Sequence, residues 1–304
     1  MPPREPILKS VIGEAPTNNR NSDAATGLMM HVDRFDPISL RDLESHAALQ
    51  MRVDRKYIVE YETLELLLAE LGDDYLALEI DGERLQQYDS MYFDSPELAG
   101  YRHHMQGRRK RFKCRTRLYG ETACFFDVKM KGRRGETVKS RLPLSPWAHG
   151  SLTSEASAFL KRELLHQYGY AAPATLVPTL HTSFARLALT HADLPERLTV
   201  DFGIVFERGG SGDRYRMLPG HVLIEAKSGA QPGTVDRLLP RLGARPLTMC
   251  SKYCLGVALS DPGLPTNPYR PLLRRYFDPM PLLNALPMAL PPLTAGADLA
   301  VADA

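Results

Sequence analysis

The chain has little cysteine, with four residues in 304, at positions 114, 124, 250 and 254. Thiols so few and so irregularly spaced exclude a disulfide framework. No second Cys/His pair follows Cys250 and Cys254 at zinc-finger spacing, so all four are expected reduced and mostly buried. Long apolar runs are also missing. No stretch of about 18 apolar residues could span a bilayer, and Val11 and Ile12 stand alone among polar residues near the N-terminus. Neither a span nor a secretory leader is expected, and the cytoplasm is the default compartment. Common catalytic fingerprints are absent too. Gly135-Glu136-Thr137-Val138-Lys139-Ser140 has the wrong spacing for a Walker A loop, and there is no GxSxG. Gly209-Gly210-Ser211-Gly212 reads as a connection. His103 and His104, being adjacent on a helix, face different ways and read as surface residues.

What is present is a local excess of positive charge. The formal net charge is only +2, yet between Arg102 and Arg141 fourteen Lys or Arg stand against three acids, Glu121, Asp127 and Glu136. An anionic ligand responds to that nearby field rather than to the total.

Residues 1–33 mix Pro, Asn, Ser, Thr and Gly without period and are expected to lack fixed structure. From 263 to 304 prolines recur, and a tail outside the fold is expected. The working domain is then 34–262. Within it, Ser39 caps a short helix to His46, and a strand is predicted from Arg52 to Glu60. Leu64, Leu67, Leu68 and Leu71 mark a helix that Gly72 stops. Strands are predicted at 75–80, 85–94, 109–119, 122–130 and 136–144, with a helix opened by Pro96 at 97–106. A helix that Ser154 precedes and Gly169 ends, running to about Tyr168, comes before strands near 179–190, 196–207, 214–218 and 221–227. Helices from Pro232 and Ser251 close the domain. Strands dominate and run as meanders, which predicts an α+β fold, an antiparallel sheet or barrel with peripheral helices.

The strongest chemical signal is Arg111-Phe112-Lys113-Cys114-Arg115-Thr116-Arg117. Strand side chains alternate, so its four cations share one face, about 7 Å apart, where they repel one another. The pattern recurs as Asp127-x-Lys129, Lys139-x-Arg141, Arg52-x-Asp54-x-Lys56 and Glu225-x-Lys227. Phe112, Cys114, Thr116, Val128 and Val138 lie on the opposite faces, suited to packing against helices. A charged inner face with an apolar outer one suits a channel holding water, metal and a polyanion. Nucleic acid is disfavoured as that polyanion, because no zinc finger, helix-turn-helix or aromatic platform interleaves the basic strand.

The segments Arg52 to Val59, Tyr92-Phe93-Asp94-Ser95-Pro96, Arg108 to Tyr119, Phe126 to Lys129, Thr137 to Arg141 and Ser251 to Gly256 resemble the vacuolar transporter chaperone (VTC) domain. That is the polyphosphate polymerase branch of the CYTH-like triphosphate tunnel metalloenzymes, here in its bacterial stand-alone form, and the likeness runs from about 34 to 262. It implies an antiparallel eight-stranded β-tunnel with peripheral helices. It further implies transfer of the terminal phosphate of ATP or another nucleoside triphosphate to inorganic polyphosphate, with a divalent metal, manganese or magnesium. Lys56, Arg115, Arg117, Lys129 and Lys139 are the implied catalytic phosphate-binding residues. Arg52, Arg111, Lys113, Arg141, Arg186, Lys227 and Lys252 are implied to hold substrate, and Glu225 and Asp127 to hold metal.

Departures from the family pattern are Met249, where a basic residue is frequent, and Asp127, where Glu is usual. Arg52-x-Asp54-x-Lys56 replaces the Glu-x-Glu-x-Lys of the wider superfamily, which argues against its hydrolytic branch. No phosphate-sensing SPX domain is recognised, so the regulation and export functions of eukaryotic assemblies are not implied. Two other readings stay open, a triphosphate or polyphosphate hydrolase on the same tunnel and a non-catalytic polyphosphate-binding module.

Overall fold

β-Branched and aromatic runs alternate with capped helices along the chain, and most elements form where these local signals fall. The computed structural model describes residues 28–46 except 29, 53–132, 135–229, 231–261 and 263–280. β1 (Asp36–Ile38) leads into α1 (Leu40–His46), capped by the Ser39 hydroxyl, which accepts from the Asp42 N–H at 3.2 Å. There follow β2 (Val53–Glu60), α2 (Tyr61–Glu70), β3 (Tyr75–Leu78), β4 (Leu85–Asp94) and α3 (Ala99–Met105). Next come β5 (Phe112–Tyr119), β6 (Ala123–Lys131), β7 (Thr137–Leu144) and α4 (Ser154–Tyr168). Thr153 caps α4, and Gly169 ends it at φ 71°, a left-handed conformation that only glycine adopts without strain. The second half holds β8 (Val177–His191), β9 (Arg197–Arg208), β10 (Arg214–Met217) and β11 (His221–Ser228). It ends with α5 (Thr234–Arg241), α6 (Lys252–Ser260), α7 (Arg270–Tyr276) and β12 (Phe277–Met280).

Eight strands make one antiparallel wall in the order β2-β11-β9-β8-β4-β5-β6-β7. β10 and β12 extend from β9, and β3 with its parallel partner β1 extends from β8. Among the described residues no ladder joins β7 to β2, so the wall is open along that seam. The free edge of β2 is met there by Leu247, whose N–H donates to the Lys56 carbonyl at 2.7 Å.

The outer face of the wall is apolar. Tyr57, Val59, Leu187, Leu198, Val200 and Ile224 pack against Leu64, Leu67 and Leu68 of α2 and Leu239 of α5. On the other flank, Cys114, Phe126, Val128 and Met130 pack against Phe159, Leu160 and Leu164 of α4. The inner face has two halves. Toward one end it is charged; toward the other, Ile58, Tyr88, Tyr92, Leu180, Phe184, Phe206 and Leu223 surround α6. Residues 253–258 of α6 are all buried, as expected for a helix apolar on every side. Gly256 permits this close approach, since a Cβ there would stand 2.5 Å from Leu180 Cδ2. The channel is therefore plugged at its apolar end.

A bulge in β9 keeps the inner face continuous. Opposite β8, Ser183 pairs with Val205 but Ala185 pairs with Phe202, so β9 carries an extra residue. Gly203 sits there at φ 57°. The extra residue flips the alternation, so Asp201 and Phe206 both face inward despite their odd separation.

Several expectations are corrected. The helix expected from Pro96 begins at Ala99, because Asp94 at the end of β4 accepts from the N–H groups of Gly100 (2.8 Å) and Tyr101 (2.9 Å). The segment expected as a tail from 263 is folded as far as 280. Leu264, Tyr269 and Phe277 are buried in the inner cluster, and β12 pairs with β10. Proline is tolerated on such an edge strand, here as Pro279. Leu28 and Val32, within the segment expected to lack structure, are buried beside Phe35. The cysteines are free, and three of the four are buried. No helix among the described residues is long and apolar enough to cross a membrane.

Candidate functional site

Backbone register brings the period-two stripes of distant strands onto one surface. Lys113 lies opposite Lys129, and Lys129 opposite Lys139, so three lysines form a row across β5, β6 and β7. In the next row Arg115 faces Asp127, which faces Arg141. On the far wall Lys56 lies opposite Glu225, and Asp54 opposite Lys227. The expected face is thus assembled, although Arg52 lies outside the described residues. Arg111, just before β5, turns its guanidinium to the Arg108 carbonyl of its own loop.

Each inner carboxylate is bracketed by cations. Glu225 Oε2 is 3.0 Å from Lys56 Nζ, and Oε1 is 3.4 Å from Lys227 Nζ. Asp127 is shared by Arg141 (2.8 Å), Arg115 (3.2 Å) and Arg117 (3.8 Å). Asp201, only 1% exposed, takes both prongs of Arg186 at 2.6 and 2.8 Å and also the Lys252 ammonium. Burial opposes ionisation of Glu225, but Lys56, Lys227 and Arg186 outweigh it and hold the carboxyl well below its usual range. Burial pulls Lys56 down, yet Glu225 raises it overall.

Two lysines of the channel are shifted downward. Lys129 is exposed along the channel face, yet partial desolvation there and repulsion from Lys56, Lys113 and Lys139 bring it down to about 7. Burial brings Lys227 down to about 8 against the pull of Glu225. A bound polyanion favours the protonated form of both. Binding should therefore take up protons between about pH 7 and 9, and affinity should fall as pH rises across that window. Calorimetry of tripolyphosphate binding at pH 8, in buffers of different ionisation enthalpy, checks this. Lys129→Met should remove most of the uptake, and equal heats in all buffers would contradict the assignment.

At the base of the charged half, the N-terminus of α6 points its first N–H groups and partial positive charge toward the channel. Lys252 opens that helix, and Lys113 donates to the hydroxyl of its cap, Ser251, at 2.7 Å. A cation at a helix N-terminus is unfavourable, and Asp201 compensates it. Met249, in the place of a basic residue, packs against the apolar cluster.

Sequence reasoning missed Asp201 and the aromatic floor. Tyr92 Oη accepts from Arg115 at 2.6 Å, and Tyr119 Oη from Arg141 at 2.8 Å. The Arg186 guanidinium lies over Tyr88 at 4.7 Å, and that of Arg141 over Phe125 at 4.7 Å. Tyr88, Tyr92 and Phe125 come from neighbouring strands, so scanning the basic strand alone finds only Tyr119. Arg197-x-Thr199-x-Asp201, polar at period two within an apolar strand, was the available signal for Asp201.

A hard divalent cation fits this channel only in company with its ligand. Glu225 is held by single lysine contacts that a cation arriving on phosphate oxygens can replace, whereas Asp127 and Asp201 are held by arginines. Such an ion commonly takes one or two carboxylates plus phosphates and water. Among the described residues the only group of three candidate ligands is Asp89, His149 and His181. It lies on the opposite face of the wall.

The VTC domain family matches the chain over residues 51–260. Among solved structures, a Hippeastrum protein described as a candidate adenylyl cyclase with dominant triphosphatase activity aligns at 15% identity, covering 68% of this chain and 95% of that one, with a TM-score of 0.42. A Bacillus halodurans protein described as a candidate adenylate cyclase aligns at 12% identity, covering 66% and 95%, with a TM-score of 0.36. No curated protein matches the chain.

Proposed function

Because the chain belongs to the VTC domain family, we propose that it is a polyphosphate polymerase, moving the terminal phosphoryl group of a nucleoside triphosphate onto a polyphosphate chain inside the basic channel. The observation that carries this reading is the row Lys113, Lys129 and Lys139, three lysines in direct cross-strand apposition. Like charges placed so destabilise a sheet, and a chain of phosphates removes that cost.

Phosphoryl transfer asks the protein mainly for in-line positioning and charge neutralisation. Arg115, Arg117 and Arg141, splayed by Asp127, offer forks that suit bidentate phosphate contacts. The lysine row and the N-terminus of α6 hold phosphates deeper in the channel. A terminal oxygen of the acceptor chain attacks the γ-phosphorus, the bond to the β,γ-bridging oxygen breaks, and nucleoside diphosphate leaves. That oxygen is already ionised at neutral pH, so no general base is needed. Manganese or magnesium, held by Glu225 together with phosphate oxygens, would supply Lewis-acid neutralisation. In this reading Asp127 is a positioning residue for the arginines rather than a metal ligand.

Pure protein incubated with ATP and Mn²⁺ or Mg²⁺ should yield a ladder of polyphosphate on a gel. Inorganic phosphate without chains would indicate the hydrolase instead, and tripolyphosphate binding without turnover the binding module. Arg115→Ala and Arg117→Ala should each weaken tripolyphosphate binding by about 1.5–3 kcal/mol, the range for hydrogen bonds to charged groups. Folding should change little, because Asp127 keeps two other arginines. Unchanged affinity by calorimetry in both variants would place these residues outside the site.

A further inference from the structure

Two histidines converge on one carboxylate on the far side of the wall from the channel. Asp89 projects from the outer face of β4, since its neighbours Tyr88 and Ser90 face inward. His181 comes from the adjoining β8, opposite Met91. His149 follows the short turn Pro146–Ala148 between β7 and α4. The turn is held to the sheet by the Gly150 N–H, which donates to Thr116 Oγ1 at 3.0 Å. Both Nε2 atoms lie 2.6 Å from Asp89 Oδ1. The three ligand atoms lie within 4.8 Å of one another. The side chains of His149, His181 and Asp89 keep 18%, 28% and 36% exposure, so an ion can reach them from solution.

Asp89 Oδ1 holds both imidazoles by short hydrogen bonds. An ion entering among the three atoms would spread them to about 3.3 Å, the separation of tetrahedral ligands about 2 Å from a metal. Two imidazoles and a carboxylate form the donor set of a borderline transition ion, whereas magnesium and manganese favour oxygen. We propose that Asp89, His149 and His181 form a second metal site, distinct from the channel, that takes zinc or a similar divalent transition ion. Glu207, paired with His181 across β8 and β9, is near enough in register to complete the set, or water does so. On coordination the His149 proton moves to Nδ1, which is buried without an acceptor. Metal-bound imidazoles usually have such an acceptor, so binding here is weaker and reversible. The ion would fasten the connection between β7 and α4 to β4 and β8, bracing the channel wall from outside.

The test uses the full chain after chelator treatment, without phosphate. Calorimetry with Zn²⁺ should give one ion per chain. Co²⁺ should develop a visible ligand-field band and quench Trp147, the sole tryptophan, which is 95% exposed and two residues before His149. His181→Ala and Asp89→Asn should each weaken Zn²⁺ binding at least tenfold, while Glu225→Gln leaves it unchanged. Unaltered tripolyphosphate affinity in the two outer-face variants would show that they are folded. Absence of Zn²⁺ binding in the wild type, or equal Zn²⁺ affinity in the wild type and both outer-face variants, would overturn the proposal.

Discussion

Glu225→Gln is expected to abolish metal-dependent nucleotide turnover while leaving metal-free tripolyphosphate binding equal or tighter. The substitution keeps the shape of the side chain and removes its charge. Glu225 is an anion in a channel for anions, flanked by Lys56 at 3.0 Å and Lys227 at 3.4 Å. Such a group repels the ligand unless a cation lies between them. Its loss therefore favours bare phosphate and penalises only the metal-bound complex. Lewis-acid stabilisation worth several kcal/mol corresponds to roughly a hundredfold or more in rate. Asp127→Asn is the paired control: it removes the carboxylate that orients Arg115, Arg117 and Arg141. Turnover should then fall through lost phosphate positioning while the metal dependence stays as in the wild type. A Glu225→Gln enzyme with wild-type rate and unchanged metal response would end the assignment.

The largest effect on stability is expected at Asp201, where Asp201→Asn should cost about 3–5 kcal/mol, the range for breaking a buried ion pair. Asp201 neutralises Arg186 and Lys252 together, and without it two buried cations face each other. In a domain of this size such a loss lowers the melting temperature by roughly 10 °C, which calorimetry would read. Lys252→Met made alongside it should recover part of the loss, because one of the stranded charges is gone. The Asp201 carboxyl is held below its usual range: burial opposes ionisation, and Arg186 and Lys252 prevail. Its contribution is therefore complete above the unfolded carboxylate value of about 4 and fades only as pH falls through the lower folded value. A variant as stable as wild type at pH 7 would show that the cluster contributes nothing.

The sequence by itself determined the local half of this protein. Period-two charge on residues 111–117, 127–129, 139–141 and 225–227 placed those side chains on one face, because alternation is a property of each strand alone. Gly169 ended α4 for the same reason, since caps act within one turn, although the N-cap is Thr153 rather than the neighbouring Ser154. Tertiary structure decided what those faces meet. Which lysines stand in one row depends on the register between β5, β6 and β7. That Asp201 faces inward with Phe206 depends on the bulge at Gly203. Asp201 meets Arg186 and Lys252, and Asp89 meets His149 and His181, only after strands and turns far apart in the chain have paired. Composition suggested a loose tail after 263, but Tyr269 and Phe277 found an apolar pocket that only the folded channel provides. Alternation and capping are set by neighbours a few bonds away, whereas pairing, plugging and charge compensation arise from contacts whose partners the chain order does not specify.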